Sequence, residues 1–408
     1  MVVAVSEEEV PLEPLVDFDE RLIMRKLLII SVGSSASIHL LRSICSQVPE
    51  ILFEDEIVIV ETSRDMLHLA IKGLSAAFQE AYVRVKKKRV SKDKFPTTAF
   101  EGRLKENAIL LAEHGGATTP ERGASYYSQK RNTVLQKIEN IVSEREISGI
   151  VVIGCTGKGT GTLVTPMLLE DLIAMSDEVF PHPLGFITIP YRFFQMDISN
   201  CAKAMKYVVE NDIRCFLIDY EQALMVYRYT QGREEAKKGL KIKADAIWKL
   251  VVRNISTVLS TLIDALNFGQ YCSPPIDWSD LLPMYELQGT VGTVMCVVRD
   301  REEDLMREWR DTLDNSVFLM TKTKPSETRG MTIVRSGAGV SIDFLENIDR
   351  YYTEVWNSKK HLTSHLTRGR QFTVATLLYG FDPLQIVPPI EYRKESAYEK
   401  IKRALGIG

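Results

Sequence analysis

Gly154-Cys155-Thr156-Gly157-Lys158-Gly159-Thr160-Gly161-Thr162 decides the fold. It follows an apolar run, Ile147 to Ile153, that reads as a buried strand, and precedes a helical pattern from Leu163 to Met175. A glycine- and threonine-rich turn between strand and helix suits a phosphate. Glycines let the backbone approach closely and turn its N–H groups inward, and the helix N-terminus adds partial positive charge. Thr160 and Thr162 can donate from their hydroxyls. Lys158 can add a full charge, or point to solvent at the loop's edge. The stretch reads as a nucleotide-binding loop.

The Walker loop, G-x-x-x-x-G-K-[ST], is one candidate, but it needs a glycine where Val152 stands and a hydroxyl where Gly159 stands. Nucleotide kinases carry a Gly-Lys-Gly-Thr run like Gly157 to Thr160, but the upstream glycine is still missing here. An ordinary tight turn explains the spacing but not so dense a set of glycines, threonines and lysine.

Outward from the loop, apolar runs alternate with helical patterns. Lys26 to Val32 reads as a strand ending at Gly33-Ser34-Ser35-Ala36-Ser37, with Ile38 to Cys45 helical after it. Ile57 to Val60 reads as a strand, Asp65 to Phe78 as a helix, Gly115 to Gly123 as a loop, and the stretch from there to about Arg145 as a helix. Leu184 to Pro190 and Cys215 to Asp219 read as strands. This order predicts a doubly wound parallel sheet with helices on both faces, its ligand at the carboxyl ends of the strands. Ala244 to Leu266 carries a 3–4 apolar stripe wide enough for a helix buried between two domains. Beyond a loop at Tyr271 to Asp280 the order is strand (Thr290 to Val298), helix (Glu302 to Leu313), strands (Val317 to Thr321 and Met331 to Arg335), helix (Ser341 to Trp356) and strand (Gln371 to Tyr379). That predicts a smaller α+β domain with a four-stranded sheet. The expected organisation is an acidic arm (1–22), a nucleotide-binding domain (23–235), a central helix (236–268), a loop (269–284), the α+β domain (285–385) and a tail with a short helix (386–408).

At 408 residues the chain exceeds one usual core. Its net charge of −3 carries no nucleic-acid footprint, and no apolar stretch reaches the ~18 residues of a membrane span. Six cysteines without paired spacing read as reduced thiols of a cytoplasmic protein. The basic run Arg84 to Lys94 reads as a solvated loop, and the basic tail helix Tyr392 to Leu405 as a surface helix. His361 and His365 have metal-ligand spacing but no third ligand nearby.

Taken in order, these pieces resemble the tubulin/FtsZ superfamily. Gly157-Lys158-Gly159-Thr160-Gly161-Thr162 is similar to the family's G-G-G-T-G-[ST]-G signature, with Leu163 in place of its last glycine. Gly115, Pro120 and Gly123 match the G-A-G-A-N-P-x-x-G stretch of FtsZ, and Gly185 to Pro190 its G-V-V-T-x-P strand. Ala244-Asp245 resembles the family's Ala-Asp at the head of the central helix. Pro275-Ile276-Asp277-Trp278-Ser279-Asp280-Leu281 resembles the N-L-D-F-A-D-V loop. The resemblance covers roughly residues 26 to 381.

The resemblance implies a GTP/GDP site with Mg²⁺, formed by Gly33, Ser34, Ser35, Gly115, Gly116, Ala117, Thr118, the loop from Gly157 to Thr162 (Gly157, Lys158, Gly159, Thr160, Gly161, Thr162) and Asp245, whose carboxylate would contact guanine. It implies a head-to-tail homopolymer in which Asp277 and Asp280 of one copy polarise water at the nucleotide of the next, with a membrane adaptor or other filament-associated protein as a further partner. The bland alternative for Asp277 and Asp280 is a solvated or helix-capping pair.

The departures bear on chemistry. Serines replace glycines at 34, 35 and 37, and Ile38 stands at a polar position. Phe194 and Ile198 fall where the family has a ribose-contacting Glu and a phosphate-side Arg, and Tyr220, which could stack on a base, stands near the guanine-reading asparagine. Pro275 replaces the asparagine before the acids. Two readings of different classes follow: a polymerising cytoskeletal GTPase, and a filament or scaffold protein that keeps the fold but hydrolyses slowly or not at all. A monomeric kinase rests on Gly157 to Thr160 alone.

Overall fold

The computed structural model describes residues 25–86, 97–112, 119–176, 180–191, 195–230, 244–369 and 371–386. The acidic arm, Gly115 to Thr118, most of the basic run and the tail helix lie outside these residues. The amino-terminal half alternates as the apolar runs dictate. Its strands are β1 (Leu27–Val32), β2 (Glu56–Glu61), β3 (Ile109–Leu110), β4 (Gly149–Cys155), β5 (Leu184–Ile189) and β6 (Phe216–Asp219). Its helices are α1 (Arg42–Gln47), entered through a π-helical turn at Ala36–Leu41, then α2 (Ile51–Glu54), α3 (Arg64–Lys86), α4 (Thr97–Asn107), α5 (Pro120–Arg145), α6 (Thr160–Met175), α7 (Gln195–Glu210) and α8 (Tyr220–Thr230).

The six strands run parallel in the order β3-β2-β1-β4-β5-β6. Strand order reverses between β1 and β4, so the crevice at their carboxyl ends is the expected ligand position of a doubly wound sheet. Burial of both faces explains the unbroken apolar runs. Leu27 and Ile29 face one core; Leu28, Ile30 and Val32 face the other.

The central helix, α9 (Ala244–Asn267), is the long stripe read from sequence. Val251, Ile255, Val258, Leu259 and Leu262 are buried, and α9 packs against α1 and α8 on one side and β8, β9 and β11 on the other. Those strands are β8 (Val291–Arg299), β9 (Thr328–Arg335) and β11 (Phe372–Phe381), which with β7 (Cys272–Ser273), β10 (Ser358–Leu366), α10 (Glu302–Asp314) and α11 (Ile342–Trp356) complete the fold. Their order, β8-β11-β9-β10-β7, is mixed, and β8 pairs with β6 over Phe216 and Leu217, so one eleven-stranded sheet runs through the molecule. Buried charge ties the halves as well: Arg368 pairs with Asp264 at 3.0 Å and Glu50 at 2.5 Å, its guanidinium over the Phe268 ring.

One expectation needs correction. Val317 to Thr321 is not a strand; Val317 makes an isolated bridge to Met295. The segment instead wedges where β6 and β8 diverge, with Phe318 N–H on Val294 O and Phe318 O accepting from Asp219 N–H. The strand that completes the sheet is β10, whose sequence Ser-Lys-Lys-His-Leu-Thr-Ser-His-Leu carries too little apolar alternation to announce it. His361, on β10, is no metal ligand: it stacks on Tyr352 and shares a 2.8 Å hydrogen bond with Thr332, and burial lowers its pKa to about 3.

Candidate functional site: a phosphate cradle and a distant acid loop

The cradle forms where β4 gives way to α6. Gly157 turns the chain at φ +103°, a conformation that L side chains rarely adopt. Its N–H donates to Thr162 Oγ1 at 3.1 Å, and the Thr162 hydroxyl donates to Lys158 O, so this threonine is spent inside the loop. Asn200 Nδ2, from α7, holds Gly157 O at 2.9 Å. No side chain caps α6 at Gly159, which leaves its first-turn N–H groups for an anion.

The loop after β1 closes the cradle from the other side. Gly33, at φ +85°, lies against Gly161, where an added Cβ would come 3.0 Å from the Gly161 nitrogen. Gly161 is as tightly held: a Cβ there would strike Cys155 O and lie 3.0 Å from Val32 O. Ser31 and Ser37 bond each other, Ser37 also bonding Gly33 O, while Ser34 and Ser35 line the cleft. The cleft measures ≈ 260 Å³, below the usual ~300–1,000 Å³ of small-molecule pockets, a size for the phosphate end of a nucleotide. Asp245 lies on α9 with its side chain outside the described residues, as are Gly115, Gly116, Ala117, Thr118 and Phe194. Tyr220 is not available to stack on a base. Its ring is buried edge-on against Trp248 at 5.3 Å, and its hydroxyl meets Cys155 Sγ at 3.3 Å.

Lys158 adds no free charge to the cradle. Its ammonium pairs with Asp197 of α7 at 2.8 Å, its side chain largely exposed. The acid that does face the cleft is Glu61, at the end of β2. Glu61 Oε1 accepts from Thr62 N–H at 2.7 Å, from the Thr62 hydroxyl and from the Thr160 hydroxyl at 3.0 Å; Oε2 is buried with no hydrogen-bond partner among the described residues. Burial pushes this carboxyl above its usual range. An unsatisfied carboxylate oxygen beside two hydroxyls is a hard-oxygen donor set, which fits Mg²⁺ arriving with a polyphosphate. Sequence reading ended the strand one residue early, at Val60, and missed Glu61. Its signal is an acid closing the otherwise apolar run Ile57 to Val60.

Asp277 and Asp280 form a capping box on the 3₁₀ helix Trp278–Glu286. Asp277 Oδ1 accepts from Ser279 N–H at 2.7 Å and from its hydroxyl; Asp280 Oδ2 accepts from Asp277 N–H at 2.7 Å. Both residues are exposed. The Ser279 hydroxyl first, then its N–H and Arg25, hold the Asp277 carboxyl below its usual range. The loop is fastened far from the cradle. Trp278 packs on Gly149, at the opposite end of β4, and Trp278 Nε1 donates to His182 O at 3.0 Å, just before β5. Six residue steps along β4, at about 3.3 Å each, separate the acids' end of the sheet from the cradle by roughly 20 Å. The two halves of the expected site are therefore not brought together within one molecule.

Among the described residues no helix is long and apolar enough to cross a membrane, and no cluster of three or more His, Cys, Asp or Glu residues has metal-binding geometry. All six cysteines are buried and none is in a disulfide. No protein-family model and no curated protein matches the chain by sequence. Solved structures do match. A GDP-bound monomer of CetZ1 from Haloferax volcanii superposes with a TM-score of 0.62 at 15% identity, covering 92% of this chain and 99% of that one. A GTPγS-bound protofilament of CetZ2 from the same organism gives 0.60 at 14% identity, covering 93% and 97%. A point mutant of FtsZ from M. jannaschii gives 0.60 at 13% identity, covering 88% and 91%.

Proposed function

We propose that the chain, which has the tubulin/FtsZ-superfamily fold, is a nucleotide-switched filament protein. It binds GTP or GDP with the phosphates on the first turn of α6, in the cleft that Ser34, Ser35, Gly159 and Thr160 line. Copies assemble head to tail, and Asp277 and Asp280 of one copy reach the nucleotide of the next. One observation carries the reading: the cradle and the acid loop lie at opposite ends of β4, an arrangement that becomes one site only when a second copy stacks on the first. A heterologous contact of that kind does not close and generates a filament. The solved CetZ2 relative is a protofilament.

Within the composite site this chain's residues have separable tasks. The α6 N–H groups and Ser34 and Ser35 bind phosphate oxygens. Glu61, Thr62 and Thr160 are the oxygens that Mg²⁺ would meet, and that ion would neutralise developing phosphate charge. Asp277, ionised through its Ser279 hydrogen bonds, accepts a hydrogen bond from the attacking water and orients it; Asp280 holds Asp277's own N–H and fixes the turn.

The capping box also favours a second reading, a scaffold filament with weak or no hydrolysis, because both carboxylates already have work holding the turn. Sedimentation of the purified protein with Mg-GTP, with Mg-GDP and without nucleotide tests both. Pelleting with Mg-GTP alone supports the switch; pelleting under all three conditions supports the scaffold; a protein that stays in the supernatant throughout sinks the filament reading. As a filament the chain would act in the cytoplasm, at a membrane only through an adaptor.

A further inference from the structure

Ile276, the residue before Asp277, is pinned from two sides. Its N–H donates to Gly269 O at 3.0 Å, and its carbonyl accepts from Arg25 Nη1 at 2.9 Å. Gly269 is the turn after α9, and a Cβ there would strike Ile276 O and lie 3.1 Å from Arg25 Nη1, so only a bare backbone lets loop and guanidinium close on it. Arg25 is itself anchored. It sits two residues before β1, and its main-chain N–H donates to the carbonyl of Asn267, the last residue of α9, at 3.2 Å. The Asn267 amide in turn donates to the buried Asp55 carboxylate at 2.9 Å. The chain of contacts runs from Asp55 through Asn267 and Arg25 to the peptide that carries Asp277.

We infer that Arg25 is a positioning residue for Asp277, fixing from the amino-terminal domain the carboxylate that the loop presents to the next copy. The inference rests on the proposed role of Asp277. Arg25 touches no substrate; it acts through the Ile276 carbonyl and through its charge, which lowers the Asp277 carboxyl from outside the acid loop. Loss of the guanidinium therefore frees the peptide and raises the carboxyl together. A displacement of about 1 Å at a reacting group costs up to ~100-fold in rate.

The test compares Arg25→Gln, Arg25→Lys and Asp277→Asn in the full chain, with phosphate release from Mg-GTP measured per sedimented subunit and the critical concentration measured beside it. Arg25→Gln is expected to lower release per sedimented subunit about tenfold, leave the critical concentration in place, and move the acid limb of the pH profile to higher pH. Arg25→Lys, which keeps the charge, returns the acid limb to its original pH with only part of the rate. Full release by Arg25→Gln where Asp277→Asn has lost it overturns the inference. Failure of Arg25→Gln to sediment also overturns it, since Arg25 would then hold the interface rather than the acid. Full release by both variants removes the acid role itself.

Discussion

Trp278 lies against the backbone of Gly149, so closely that any side chain at 149 would run into its indole. Gly149 opens β4, and the phosphate loop begins where β4 ends. This one contact sets the acid loop at the amino ends of the strands and the cradle at their carboxyl ends, with a whole strand between them. Gly149 is thus the residue that lets the loop dock flush against the sheet edge.

The separation predicts complementation in trans. Asp277→Asn keeps an intact cradle, and Thr160→Arg, which fills the cradle, keeps intact acids. Each alone is expected to lose most phosphate release. In an equimolar copolymer about a quarter of junctions pair a working cradle with a working acid loop, so release recovers to about that fraction. Recovery absent from mixed pellets that contain both proteins would show that the acids do not act across the junction.

Gly161 and Gly102 provide a matched pair. A methyl group at Gly161 meets two main-chain carbonyls, Cys155 O and Val32 O, which cannot swing aside; at Gly102, inside α4, it meets nothing within 4 Å. Gly161→Ala is expected to lose about 2–4 kcal/mol of stability together with nucleotide binding. Gly102→Ala is expected to gain about 0.5–1 kcal/mol from helix propensity. Urea unfolding of the two variants checks both signs, and a stable Gly161→Ala protein would mean that the cradle is looser than its contacts require.

Lys158 separates this loop from a kinase loop. Its ammonium is held by the buried Asp197 carboxylate while most of the lysine side chain lies in solvent, and a pair so exposed on one side is worth about 1 kcal/mol. Lys158→Met is therefore expected to weaken nucleotide binding by less than about fivefold. Equilibrium binding of a fluorescent GTP analogue measures this; a loss of two orders of magnitude would restore Lys158 as a phosphate ligand.

The parallel half was legible because strands buried on both faces are apolar in long runs, as Leu27 to Ile30 and Ile150 to Ile153 are. Gly157 and Gly161 announced the cradle because no other residue fits their backbone. What the sequence hid depends on partners far along the chain. Glu61 closes an apolar run, but its place in the cleft comes from Thr160, 99 positions later, which hydrogen-bonds it. Tyr220 reads as a free aromatic until Trp248 covers it. The polar strand Ser358 to Leu366 exists because β9 offers it a parallel edge, with His361 finding Tyr352 and Thr332. Local pattern carries backbone necessity; it does not carry the pairing of polar groups.

Asp55 makes the fold itself pH-sensitive. Its carboxylate accepts from Leu27 N–H and Asn267 Nδ2, each at 2.9 Å, but complete burial raises its pKa to about 7, from about 3.9 in an unfolded chain. Between those values the folded protein binds a proton that the unfolded chain does not, so Asp55's contribution to stability is largest near pH 4 and falls as pH rises, by at most about 1.4 kcal/mol per pH unit, until it levels off above pH 7. Asp55→Asn removes this dependence. The new amide keeps an oxygen for Leu27 N–H, and the Asn267 side chain can turn to offer Oδ1, which has no hydrogen-bond partner among the described residues, to the new Nδ2. Urea unfolding at pH 5 and pH 8 should therefore show the variant gaining on the unsubstituted protein as pH rises. The other titrating groups are common to both proteins and cancel in the difference. Parallel stability curves across that range would mean that Asp55 stays ionised in the fold, with its two hydrogen bonds outweighing its burial.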